Sequence, residues 1–172
     1  MKTLYFILAA LATLFLLFCL SGIIRPTFSF KLFSKIDEPI EKSWPLIQEK
    51  FNLSNFLDNV QEIKQVYGMN GTVGSESDIY FNSDGNYKII RQVVTEVTPN
   101  KSMSFMARFK YKDVEYKRSA MEYRDKTYLT LKVTYKGNNL FTKSYNALFG
   151  FTIIEKEEVY FRNFINNLNQ ND

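Results

Sequence analysis

Hydrophobic and polar positions follow three successive patterns along this chain. In residues 3–24, TLYFILAALATLFLLFCLSGII, none of the 22 side chains is charged. As an α-helix that run is about 33 Å long, against a hydrocarbon core of about 30 Å, so it predicts a transmembrane anchor over residues 1–25. The alternative is a cleaved signal peptide, with Lys2 as its basic start and Ser21 or Gly22 near the cleavage point. The apolar region of such peptides runs only about 7 to 15 residues, which favours the anchor. Bulky Phe18 before Cys19 departs from a lipoprotein acylation signal, and Cys19 reads as a small apolar residue of the span.

Beyond residue 26 the period changes to two. In TFSFKLFSKI, residues 27–36, Phe28, Phe30 and Leu32 fall on one side and Ser29 and Lys31 on the other, the pattern of a half-buried strand, until the phase blurs at Phe33. At DEP the pattern turns helical: Pro39 suits a first helical position, and the carboxylates of Asp37 and Glu38 suit the positive end of a helix. Ile40, Trp44, Ile47 and Phe51 follow at spacings of 4, 3 and 4, one apolar stripe. Pro45 interrupts it, so this helix is expected to be short or bent. NLSNF opens a second short helix, with Ser54 as N-cap and Phe56 and Val60 on its apolar face. From Val60 to Tyr67 the pattern fits helix and strand equally.

GMNGTVGSES, residues 68–77, holds three glycines and reads as a turn into a bent strand. A phosphate loop is not indicated, since no strand-then-helix context and no Gly-Lys-Ser/Thr follows. β-rich runs then succeed one another: SDIYF, the Asp-Gly turn NSDGN, YKIIRQVVTEV, TPNK, SMSFMARFKY, VEYKRSAMEY, RDK and TYLTLKVTYKG. Short spacing with turns between predicts an antiparallel meander. The last stretch is helical again, with Ile154, Phe161, Ile165 and Leu168 at spacings of 7, 4 and 3, predicting one long helix from Lys143 to Leu168, bent at Gly150. The fold class is therefore α+β, the long helix covering the apolar face of the sheet.

Composition narrows the chemistry. Only Lys2 and Arg25 of the 22 basic residues precede residue 26, so the remainder carries 20 basic against 18 acidic groups. Those charges are interleaved, as in KYKDVEYKRSAMEYRDK, rather than gathered on a phosphate-binding face, which argues against nucleic acid. The chain has no histidine, and its one cysteine lies in the apolar run. Histidine-based triads and dyads, thiol catalysis in the globular part and His-containing zinc sites are excluded. No catalytic set, metal site or cofactor is predicted. Arg25, Lys31, Lys35 and Lys42 outnumber Lys2 across the span, which places the globular part on the cytoplasmic side.

Several pieces of the globular part resemble the START-like, Bet v 1-like superfamily, in particular its bacterial SRPBCC, or polyketide cyclase/dehydrase, branch. KIDEPIEKSWPLIQE is similar to that family's strand, Pro-led start and tryptophan helix; GMNGTVGS to its Gly-x-Gly strand entry; VTEVTPNKSMSF to its Glu-Val-x-Pro hairpin. TYLTLKVTYKGNN followed by ALFG and a helix ending FINNL is similar to its finish. The resemblance covers residues 27–168, within a domain of residues 26–172. It departs at Pro45, directly after the tryptophan, and at Phe56, where members often carry a second tryptophan. It implies a helix-grip fold: a curved antiparallel sheet wrapped around a long C-terminal helix, two short helices after the first strand, and a cavity between sheet and helix.

Such a cavity would draw on alternate strand positions and inner helix faces. The candidates are Trp44, Tyr80, Phe105, Met121, Tyr123 and Phe149, with Arg91, Glu96 and Arg108 as polar groups to orient a ligand. For each, plain core packing or a place on the solvated sheet face is the alternative. An aromatic content of 16%, with 16 Phe and 11 Tyr, suits either a large apolar cavity or a dense core. The expected function is membrane-tethered binding of a hydrophobic small molecule or lipid. The alternatives are a closed-core interaction protein of the membrane and a polyketide cyclase-like enzyme.

Overall fold

The computed structural model describes residues 2–49, 60–83 and 85–169. Helix α1, Lys2–Ile24, is 23 residues long and apolar enough to cross a membrane. Strand β1, Thr27–Ile36, leads to α2, Ile40–Glu49. A meander follows: β2, Val60–Tyr67; β3, Glu76–Ser83; β4, Asn86–Thr98; β5, Ser102–Arg108; β6, Lys112–Tyr123; and β7, Lys126–Gly137. Helices α3, Leu140–Phe149, and α4, Phe151–Asn169, close the described chain.

The seven strands form one antiparallel sheet in the order β1-β7-β6-β5-β4-β3-β2. The first strand thus closes onto the last, as Leu32 pairing with Leu131 records. In β4 the ladder passes from Val94–Phe105 to Glu96–Ser104, so Thr95 is an extra residue. A bulge there bends the strand and increases its twist, curving the sheet. Alternation decides what the concave face carries: Val114, Tyr116, Arg118 and Ala120 in β6, and Leu129, Leu131, Val133 and Tyr135 in β7. Phe161, Phe164, Ile165 and Leu168 of α4 complete this core. Fully buried side chains such as Leu131 and Phe105 each stabilise the fold by about 1.5–3 kcal/mol relative to exposure.

At the far end of β6 and β7, α2 caps the core. Its first amide, Ile40 N, donates to Glu122 Oε2 at 2.7 Å, satisfying one orphan donor of the helix start. The hydroxyls of Ser43 and Thr127 share a 2.8 Å hydrogen bond, and Thr127 donates to Glu38 O at 2.8 Å. Trp44 and Ile47 point inward and are buried, while Pro45 faces solvent inside the helix.

Three expectations are refined. Residues 60–67 form a strand, and the second short helix expected from NLSNF lies outside the described residues. The phase of β1 continues past Phe33, which is exposed, to buried Ile36. The single C-terminal helix is instead two. Asn139 caps α3 by accepting from Thr142 N at 2.8 Å, and the chain breaks at Gly150, where a Cβ would lie 2.6 Å from the ring of Phe28. Close approach of β1 requires glycine there, not conformational freedom, since the Gly150 backbone is in the ordinary helical region.

Candidate functional site

Because α3 and α4 part at Gly150, they diverge over one end of the sheet and leave an open cavity of about 790 Å³. Phe141, Thr142, Tyr145 and Asn146 of α3 form one wall, and Ile153, Lys156, Glu157 and Tyr160 of α4 form another. Tyr111, Lys112 and Tyr135 close it at the sheet. This volume is within the range of sites that enclose a small ligand.

Glu157 is the polar centre. It is buried, and its Oε1 accepts hydrogen bonds from the hydroxyls of Tyr116, at 3.1 Å, and Tyr135. Burial raises the Glu157 carboxyl above its ordinary pKa, the two tyrosine hydrogen bonds and the nearby Lys112 charge pulling the other way. Burial likewise raises both tyrosine hydroxyls. The Lys112 ammonium stands 4.6 Å from the centre of the Tyr135 ring and 5.3 Å from that of Phe109, and burial lowers its pKa. Asn146 Nδ2 and Glu157 Oε2 are buried with no hydrogen-bond partner among the described residues. Both residues line the cavity, and these two atoms, with almost no accessible area, stand unpaired just behind its surface. Unsatisfied groups of this kind are uncommon in native interiors and mark where a ligand or water belongs.

Behind this site lies a layer that does not touch the cavity. Phe105 stacks on Tyr116 with ring centres 4.9 Å apart, holding the tyrosine that reaches Glu157. Fully buried Arg118, two residues along β6, has its guanidinium 3.8 Å from the centre of the Phe164 ring, and burial lowers its pKa well below the usual arginine range. Among the described residues no group of three or more His, Cys, Asp or Glu side chains could hold a metal.

None of the nine residues singled out from the sequence lines this cavity. Trp44 is 2% exposed, but in the core beneath α2. Met121, 65% exposed, and Tyr123, 52% exposed, lie on the solvent face, because the inward positions of β6 are the even-numbered ones. Arg91 likewise turns outward between buried Ile90 and Gln92, where it pairs with Asp78 at 2.8 Å, and Arg108 turns outward after Ala107 because β5 points its odd-numbered apolar positions inward. Glu96, just past the bulge, accepts from Lys117 Nζ at 2.6 Å and Ser102 Oγ at 2.9 Å. Tyr80 is half-buried under Lys64, and Phe149 is partly exposed against Tyr145 at 5.2 Å. Glu157 escaped notice although its spacing to Phe161 and Phe164, 4 and 3, continues the buried stripe of α4. Arg118 shares the parity of Val114, Tyr116 and Ala120, a signal equally present in the sequence.

No protein-family model matches the chain, and no curated protein matches it. Solved structures do. Ara h 8.0201 superposes with a TM-score of 0.64 at 14% identity, over 84% of this chain and 99% of its own. A protein of unknown function from Staphylococcus aureus gives 0.64 at 10% identity, over 83% and 94%. The Zhui aromatase/cyclase from a Streptomyces species gives 0.61 at 7% identity, over 84% and 94%. The fold is the helix-grip fold of the Bet v 1-like proteins. At these identities the likeness is one of architecture. In this helix-grip domain the C-terminal helix that fills the grip is α4, and the cavity opens beside it because α3 leans away.

Proposed function

We propose that this protein holds a hydrophobic small molecule or lipid in the cavity of a helix-grip domain, residues 26–172, tethered to a membrane by residues 1–25. The observation that carries this reading is the cavity itself: about 790 Å³, with five aromatic rings and Ile153 in its wall, and with buried unpartnered polar atoms on Asn146 and Glu157. Such a site takes a molecule with an apolar body and one hydrogen-bonding end. Tethering supports the same reading, since an apolar ligand partitions into the bilayer and meets a surface-held cavity at high effective concentration. The excess of Arg25, Lys31, Lys35 and Lys42 over Lys2 favours the cytoplasmic side.

The test is native mass spectrometry, with lipid extraction, of the detergent-extracted chain and of its Glu157→Leu variant. A co-purifying apolar species of defined mass, reduced in the variant, is the expected result. A clean apo mass for the unaltered chain, before and after incubation with total lipid extract, would reject the binding reading.

One observation favours a second reading. A buried carboxyl touching two tyrosine hydroxyls at a cavity wall is a group able to donate and recover a proton, as an enzyme of the cyclase type would need. Under that reading Glu157→Gln keeps the bound molecule and abolishes its conversion.

A further inference from the structure

Six large hydrophobic side chains are exposed in or just after α3: Leu140, Phe141, Tyr145, Leu148, Phe149 and Phe151. The lone charged residue of α3, Lys143, is half-buried. This face would be costly in water, and its neighbour indicates what covers it. Helix α3 lies along the last turns of α1. The rings of Phe18 and Phe141 are 5.3 Å apart, and one turn further along both helices Gly22 meets Ser144 so closely that a Cβ at Gly22 would lie 2.6 Å from Ser144 N. The two helices therefore run side by side in the same direction. Phe141 stands level with Phe18, six residues before the end of α1 at Ile24, or about 9 Å along the axis.

If α1 spans a bilayer, that level is below the headgroups on the side where the domain emerges. Phe141 and Tyr145 also line the cavity, as does Tyr111 from the β5–β6 turn, where Lys110 Nζ stands 5.0 Å from its ring centre. Exposed tyrosine and phenylalanine with lysine beside them are the side chains that settle at a membrane interface. Phe141 is 67% and Tyr111 56% exposed, so the rim of the cavity is itself part of the apolar face.

We infer that the mouth of the cavity is seated in the interfacial layer of the bilayer, and that its occupant is a membrane-resident amphiphile exchanged directly with the adjoining leaflet. The inference rests on the tethering reading and adds an orientation to it. The far end of β6 and β7, with Met121 and Tyr123, then points away from the membrane.

Depth-dependent quenching tests this in phosphatidylcholine vesicles whose acyl chains are brominated either near the headgroup or near the terminal methyl. Four variants of the full chain each add one tryptophan at an exposed position: Leu11→Trp in α1, Phe141→Trp and Tyr111→Trp at the rim, and Met121→Trp at the far end. The unaltered chain, whose Trp44 is buried, gives the background. The expected result is loss of emission from both rim tryptophans with the shallow bromines, more than with the deep ones. Leu11→Trp should show the reverse order and Met121→Trp no loss. Quenching of Leu11→Trp with neither rim position quenched would overturn the inference while leaving the tether intact, and would assign the α3 face to a protein partner. Quenching at Phe141→Trp but not at Tyr111→Trp would also overturn it, since the mouth would then face water. An unquenched Leu11→Trp would remove the tether itself, and the inference with it.

Discussion

Glu157 concentrates the electrostatic consequences of this structure in one side chain. Its carboxyl is raised by burial, so the folded state favours the neutral form. A raised acid contributes stability that is present below its unfolded pKa, near 4.5, and is lost as pH rises through the higher folded value. Glu157→Gln keeps an oxygen for Tyr116 and Tyr135 and removes the titration. In urea unfolding of the full chain in detergent micelles, stability of the unaltered chain should fall as pH rises above 4.5, and the variant should lack that component. The fall amounts to about 1.4 kcal/mol for every pH unit that separates the folded carboxyl's pKa from the unfolded one. Equal slopes in both would mean that folding does not raise the Glu157 carboxyl. Two further side chains calibrate the core. Trp44→Ala should cost about 3–5 kcal/mol, measured by circular dichroism because the fluorophore is gone, whereas Met121→Ser should change stability by less than about 0.5 kcal/mol. A large effect at Met121 would contradict its place on the solvent face.

Among the elements, those whose apolar period is carried by several residues were legible in the sequence, and those defined by a single contact were not. β6 and β7 alternate over a dozen residues each, Asp125 marks the turn between them and Gly137-Asn138 the end of β7, so the meander could be read. β2 could not, because its side chains from Gln61 to Tyr67 are exposed and no buried face imposes a period. The break between α3 and α4 was anticipated only as a bend, since it falls where Gly150 is held against the Phe28 ring, from a strand more than a hundred residues earlier. Merging the two helices hid the cavity, which exists only where they part. Gly150→Ala tests that account: the new methyl meets both the Phe28 ring and Asn146 O at 2.6 Å, and should cost about 1–3 kcal/mol in the same urea titration. A neutral result would show that β1 yields easily at this point.

At the scale of the whole molecule, a bulged sheet, one helix laid across it and a second leaning away are enough to build the site. The sequence pointed to a helix-grip architecture through the order of its motifs, and solved structures share that architecture at 14% identity or less. It could not locate the site, because wall membership depends on which parity of each strand faces α4, and the choice of Met121 and Tyr123 took the wrong parity. Gly22 against Ser144 has a consequence for the proposed tether. A domain on a loose tether could tumble and sample either solvent or any nearby surface, but if α1 is an anchor, a domain packed against it keeps a fixed tilt. On the orientation inferred above, each copy is committed to a single leaflet. It could withdraw, shield or present molecules of that monolayer, and it would have no route for passing them to the opposite one.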